Sequence, residues 1–295
     1  MPQRLLDLIH STFRYWSLLP AVALLLVITV YPALHLLQMS VSTVEFVGGR
    51  DVWTFTPGRN LDLLLSDPVL PPAIVNTIVF VIVTVAVELT LGLALAILIA
   101  RLPHGRKAAR TAMILPILVP AVAIGSMWKL MYNFDFGLFN QALDGLGLPP
   151  VNWLGSTNLA LMSVIIVDIW HWTPFVFLIL FAAVEGLPRD VVEAAEVDGA
   201  TSWQITWRIV IPMLRDALAV AFVFRAIFAF KVFDEIYLLT SGGPGTATEV
   251  VNLHLYKVFF EQNQLGYGAL LSVAFIAAIL AFLLVSRRVT RDTAR

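Results

Sequence analysis

Ionisable side chains inside long apolar runs are the residues of this sequence best placed to do chemistry. Lipid makes an unpaired charge costly, so such groups face one another or a polar cavity. Asp168, His171, Trp172 and Phe175 stand at i, i+3, i+4 and i+7, one face of a helix. Arg225, Phe228, Ala229 and Val232 repeat that spacing in the next apolar run. A carboxylate, a guanidinium and aromatic rings on two such faces suit a polyhydroxylated solute, whose hydroxyls take hydrogen bonds and whose C–H faces stack on rings. A second reading stays open: Asp168 and Arg225 pair across helices as structural glue, and the rings pack. Glu88 and Lys129 are further candidates for pairing between helices or for reaching the interface. Lys231, with Asp234 and Glu235 at i+3 and i+4, reads as a local ion pair.

The other chemistry-bearing stretch is polar: EGLPRDVVEAAEVDGATSWQITWRIVIPMLRDAL, between the fourth and fifth apolar runs. It predicts two short helices. Asp190 to Asp198 holds good helix formers, Gly199 is a C-terminal stop, and Thr201 or Ser202 can cap the second helix. Pro212 marks the turn back toward the membrane. Ala194 and Ala195 leave a small-residue surface for close approach, and Glu193 offers a charge that a partner's Arg can clamp. Such a knob serves either as a docking element or as a structured loop between helices.

Several chemistries have no sequence behind them. There is no G-x-x-x-x-G-K-[ST] phosphate loop, no H-E-x-x-H and no G-x-S-x-G, so neither ATP hydrolysis nor an intramembrane enzyme is expected. The five His are scattered singly and Cys is absent, which leaves no metal or redox site to propose. A formal net charge of -1 lacks the basic field that nucleic-acid binding needs.

The elements that must position these residues are membrane helices. Hydrophobic residues make up 59% of the 295 and charged residues 13%, against about 45–50% and about 25% in a soluble domain. They gather in six runs long enough to cross a bilayer: about 16–39, 73–100, 111–131, 159–184, 217–240 and 266–286. The first run is longer than a signal-peptide core and reads as a retained span. The fold class is all-α and polytopic, one membrane domain over 1–295 with a polar loop at 187–216. Pro116 and Pro120 should distort the third span.

Orientation follows from Lys and Arg. Arg4, Arg14, Arg101, Arg106, Lys107, Arg110, Arg189, Arg208, Arg215, Arg287, Arg288, Arg291 and Arg295, 13 of the 19, fall on one side. Only Arg50, Arg59 and Lys257 lie in the loops opposite. Both termini and the 187–216 loop are therefore expected in the cytoplasm. The segments 40–72, 132–158 and 241–265 are expected outside, as short helices or ordered loops able to meet a partner.

Glu193-Ala194-Ala195, three residues, Gly199, nine residues, then Ile209-Val210-Ile211-Pro212 resembles the EAA loop of binding-protein-dependent ABC importer permeases. Only Ile211 departs from the pattern, where the family has Leu. The resemblance extends over most of the chain to the maltose-transporter type of sugar permease, the MalF-like member of the pair. Asn76-Thr77, WTPF at 172–175 and FDEIYLLTSGGPG at 233–245 carry it. It implies the type I importer permease fold in a bacterial inner membrane. It also implies a second, MalG-like permease, two ATPase subunits that hold ATP and Mg, and an external solute-binding protein. Glu193, Ala194, Ala195, Asp198, Gly199, Ile209 and Pro212 would then form the ATPase-coupling element. The solute would be a sugar or sugar derivative, with a polyol or glycerol phosphate-like solute as the alternative.

Overall fold

A computed structural model describes the backbone of residues 3–48 and 50–292. The side chains of Arg4, Arg14, Arg50, Arg189, Arg287, Arg288 and Arg291, and Arg295 altogether, lie outside the described residues. In chain order the elements are α1 (Gln3–Ser40), β1 (Ser42–Val47), β2 (Arg50–Phe55), α2 (Pro57–Ser66), α3 (Leu70–Ala100) and α4 (Arg106–Ile114). Next come α5 (Ala121–Met131), α6 (Leu138–Gly145), α7 (Ala160–Glu185), α8 (Arg189–Val197) and α9 (Ser202–Ile205). The chain closes with α10 (Ile211–Met213), α11 (Arg215–Phe230), α12 (Asp234–Leu239), α13 (Val251–Tyr256) and α14 (Leu265–Asp292).

Helices dominate, as the apolar runs require. Ser17–Ser40 in α1, all of α3 and α7, and Leu265–Ser286 in α14 are each long and apolar enough to cross a bilayer. The third run is broken as its prolines predict. Leu115–Leu118 forms a 3-10 turn, Pro120 takes an extended conformation, and the chain bends by 94° between Arg106–Leu118 and Ala121–Met131. The fifth run differs from its sequence reading as one segment over 217–240. It is split, because α11 stops at Phe230 and α12 restarts at Asp234.

The residues fall into two compact units, Met1–Asp67 with Leu255–Ala277, and Pro68–His254 with Ala278–Arg295. In the first, α1 displays its apolar side chains outward from Leu18 to Leu37, the inverse of a soluble helix. It is followed by an antiparallel hairpin that pairs Ser42 with Phe55 and Val47 with Arg50. Strands were not foreseen among the outer loops. Thr43, Val44, Val52 and Thr54 are β-branched and favour an extended chain. Asn60, buried in α2, ties the hairpin down by donating to the carbonyls of Ser40 and Ser42 at 2.9 and 3.0 Å.

The second unit is built on α3 against α7, with α11 packed on both. The buried side of α3 runs Val81, Thr84, Val85, Glu88 and Gly92, a helical spacing that carries a carboxylate into the packing. Gly92 sets how close α3 and α7 approach: a Cβ there would stand 2.7 Å from Val176 Cγ1.

Candidate functional site

The deepest polar feature of the second unit joins three helices. Arg225 of α11, 1% exposed, donates from Nε and Nη2 to the carboxylate of Glu88 on α3, the latter bond 2.9 Å long. Its Nη2 also donates to Asp168 Oδ2 on α7. Glu88 and Asp168 are equally buried. One cation bridges two carboxylates, so each carboxylate has a hydrogen-bonding partner where neither water nor lipid can solvate it. The guanidinium carbon lies 5.5 Å from the centroid of Trp172, over the ring.

Beside this network a cavity of about 210 Å³ opens between α5, α7 and the α11–α12 break. Asp168, His171, Trp172, Phe228 and Val232 line it, as the sequence grouped them. Trp172 and Phe228 stack with centroids 5.1 Å apart and planes 25° from parallel, and Phe175 meets both edge-on. The remaining members of the set stand elsewhere. Phe175 sits behind the stack, against the apolar cluster of Val176, Phe177 and Ala221. Ala229 is fully buried, and Arg225 faces its carboxylates.

Lys231, Asp234 and Glu235 also line the cavity, but not as the local ion pair expected from their spacing. Because α11 ends at Phe230, the chain between Lys231 and Asp234 is not helical, and i+3 and i+4 neighbours no longer share a face. Glu235 instead turns inward, its Oε1 3.1 Å from His171 Nδ1, with both residues buried. This His–Glu pair ties α12 to α7. Spacing could not show it, since 64 residues separate the two. Lys129 donates to the carbonyl of Leu238 at 3.4 Å, a contact between helices of the kind expected of it.

The loop after α12 is clamped from α3. Asn76 Nδ2 donates to the carbonyls of Thr246 and Glu249, each at 2.9 Å, and Thr77 Oγ1 accepts from the Val251 amide at 3.0 Å. Gly242 and Gly245 adopt φ of +90° and +60°, conformations that favour glycine, so the SGGPG turn can lie under that clamp. Two motifs distant in sequence thus form one piece of structure.

At the other end of α7 the polar loop folds as expected, into a helix, a turn and a second helix. In α8, Val192 and Ala195 face inward onto Ile205, Val210 and Leu214, while Glu193 and Ala194 are exposed. Asp198 closes the helix, Gly199 follows at φ +78°, and the Ala200 amide returns to the carbonyl of Ala195 at 2.9 Å. Thr201 begins α9 with a capping box. Its hydroxyl accepts from the Gln204 amide at 3.4 Å, and its own amide donates to Gln204 Oε1 at 2.8 Å. Ile209 lies in a π-helical turn, Thr206–Val210, and Pro212 is the second residue of α10, whose early end at Leu214 redirects the chain into α11. Val191, Val197, Trp203 and Trp207 are exposed around the knob, an apolar rim that a partner or lipid can cover.

Sequence comparison matches residues 88–294 to the family described as "Binding-protein-dependent transport system inner membrane component". The trehalose/maltose transport system permease protein MalF of Thermococcus litoralis is 35% identical over 288 residues, 96% of this chain and 95% of that protein. The sulfoquinovosyl glycerol transport system permease protein SmoG of Agrobacterium fabrum is 31% identical over 289 residues, 98% of this chain and 93% of its own. Among solved structures, a chain of the bacterial alginate ABC transporter in complex with alginate pentasaccharide-bound periplasmic protein superposes with a TM-score of 0.85. That match covers 99% of each chain at 22% identity, a likeness of fold.

Proposed function

The chain belongs to the family of binding-protein-dependent transport system inner membrane components, and from that premise we propose that it is the permease subunit through which an ATP-driven importer passes a sugar or sugar derivative. The observation that carries the solute class is the Trp172–Phe228 stack on the wall of a cavity that Asp168 and Glu235 also line. Rings offer a face for the C–H side of a pyranose, and carboxylates accept from its hydroxyls. The names of the relatives, trehalose/maltose and sulfoquinovosyl glycerol permeases, support that class. Three carboxylates against Lys231 disfavour a phosphorylated solute at this wall.

The permease does no bond chemistry of its own. ATP and Mg belong to two ATPase subunits, and Glu193 on the exposed face of α8 is the charge that anchors one of them. A second, MalG-like permease completes the pathway, and an external binding protein delivers the solute to the outer loops. With six spans, the fifth made of α11 and α12 in succession, and with Lys and Arg gathered on one side, both termini and the coupling loop lie in the cytoplasm of a bacterium.

Uptake by the complex purified through this subunit and reconstituted in vesicles tests the proposal. Glu193→Lys abolishes ATP-driven uptake while the subunit stays inserted and folded. Trp172→Ala raises the half-saturating sugar concentration about threefold to tenfold, the weight of one lost aromatic contact, and Trp172→Phe restores most of it. Sugar flux through the purified chain alone, with no ATPase present, would overturn the assignment in favour of an autonomous carrier.

A further inference from the structure

A second cavity of the same unit, about 580 Å³, shares no lining residue with the one assigned to the solute. One wall is the last three turns of α3, where Leu89, Leu93 and Ile97 present apolar side chains, and the other is the second helix of the coupling loop. The α3 wall from Leu89 to Arg101 is about 18 Å long at 1.5 Å per residue, comparable to one leaflet's depth. At its mouth stand Arg101, Trp203 and Trp207.

Three observations say what fills it. No carboxylate lines the cavity, and Arg101 makes no ion pair among the described residues. Its Nη2 donates to Thr206 Oγ1 at 2.7 Å, which holds the guanidinium against the second wall of the groove. Trp203 and Trp207, 70% and 52% exposed, pack at 5.2 Å beside it. Exposed tryptophans next to a basic residue at the end of a span are the signature of headgroup depth.

We propose that this groove binds an anionic phospholipid. One acyl chain lies along Leu89, Leu93 and Ile97, the phosphate sits on Arg101, and the Trp pair covers the glycerol region. Because the groove's second wall is the segment that follows α8 and Gly199, the bound lipid braces the coupling loop against α3. The site is separate from the solute cavity, so its failure leaves the transport assignment standing.

The test uses the assembled complex in nanodiscs of phosphatidylcholine containing one-tenth phosphatidylglycerol, with bromine on the acyl chains of one lipid at a time. The emission of Trp203 and Trp207 is the difference between wild type and a Trp203→Phe/Trp207→Phe variant. Brominated phosphatidylglycerol is expected to quench that emission well beyond brominated phosphatidylcholine at the same fraction. Arg101→Gln lowers the preference about fivefold, the weight of one basic residue near a lipid surface, and Arg101→Lys keeps most of it. If the tryptophan pair does not survive replacement, the total-emission difference between wild type and Arg101→Gln reads the same preference. Equal quenching by the two headgroups would reduce the groove to ordinary lipid contact and overturn the proposal. Absence of quenching by either would overturn it in favour of a protein subunit covering the groove.

Discussion

The buried network beside the cavity of about 210 Å³ and the polar loop after α7 each carry acidic residues on a helix, and they treat the charge in opposite ways. Glu88 and Asp168 are buried and share Arg225, so their positions are set by one another. Glu193 is exposed and makes no ion pair among the described residues. A buried pair is held because undoing it strands a charge, whereas an exposed one is nearly free of structural consequence. The difference separates two jobs. In the function proposed, the cavity keeps groups that stay put while helices move around them, and the loop presents a group whose partner lies on another protein.

Removing Arg225 breaks this comparison most sharply. Arg225→Met strands two carboxylates in the interior and is expected to cost about 3–5 kcal/mol, read as a lowered midpoint of thermal unfolding in detergent. The further changes Glu88→Gln and Asp168→Asn should return most of that loss, because neutral amides leave no charge unpaired. Glu193→Lys, by contrast, should cost less than about 0.5 kcal/mol, as surface changes do, and leave the midpoint almost where it was. If Arg225→Met unfolds no more easily than Glu193→Lys, the triad is not what holds α3, α7 and α11 together.

The same contrast governs what the sequence made legible. The coupling loop was readable almost to the residue, because caps and stops are local. Gly199 and Thr201 act within a few positions of themselves. The bend at Pro120 was readable for the same reason, since a missing amide acts where it stands. Around the cavity the local rule held only in part. Asp168, His171 and Trp172 share a face as their spacing implies, but Phe175, one turn on, belongs to a different cluster.

What escaped was long-range. Glu235 finds His171, and Asn76 finds Thr246 and Glu249, over separations that no window of sequence contains. The break at Lys231–Phe233 also escaped, because the run from 217 to 240 holds neither Pro nor Gly and hydropathy does not report backbone. The hairpin of β1 and β2 escaped because strand pairing joins residues up to 13 apart.

The smaller test lies in the loop itself. Thr201 opens α9 with a reciprocal pair of bonds to Gln204, and both partners are exposed, so water can replace what a mutation removes. Thr201→Ala should therefore cost about 1 kcal/mol, the usual weight of an N-cap, and Thr201→Ser should cost almost none. Hydrogen exchange over 200–206 is the measurement, since the loss is expected as local fraying and not as a shift of the global midpoint. Uptake should fall less than with Glu193→Lys, because Ile205, Val210 and Leu214 still pack under Val192 and Ala195 and hold α8 in place. If Thr201→Ala abolished uptake as fully as Glu193→Lys does, the loop would be coupling through the order of α9 as much as through the charge on α8, and the division between a fixed cavity and a simple docking knob would have to be redrawn.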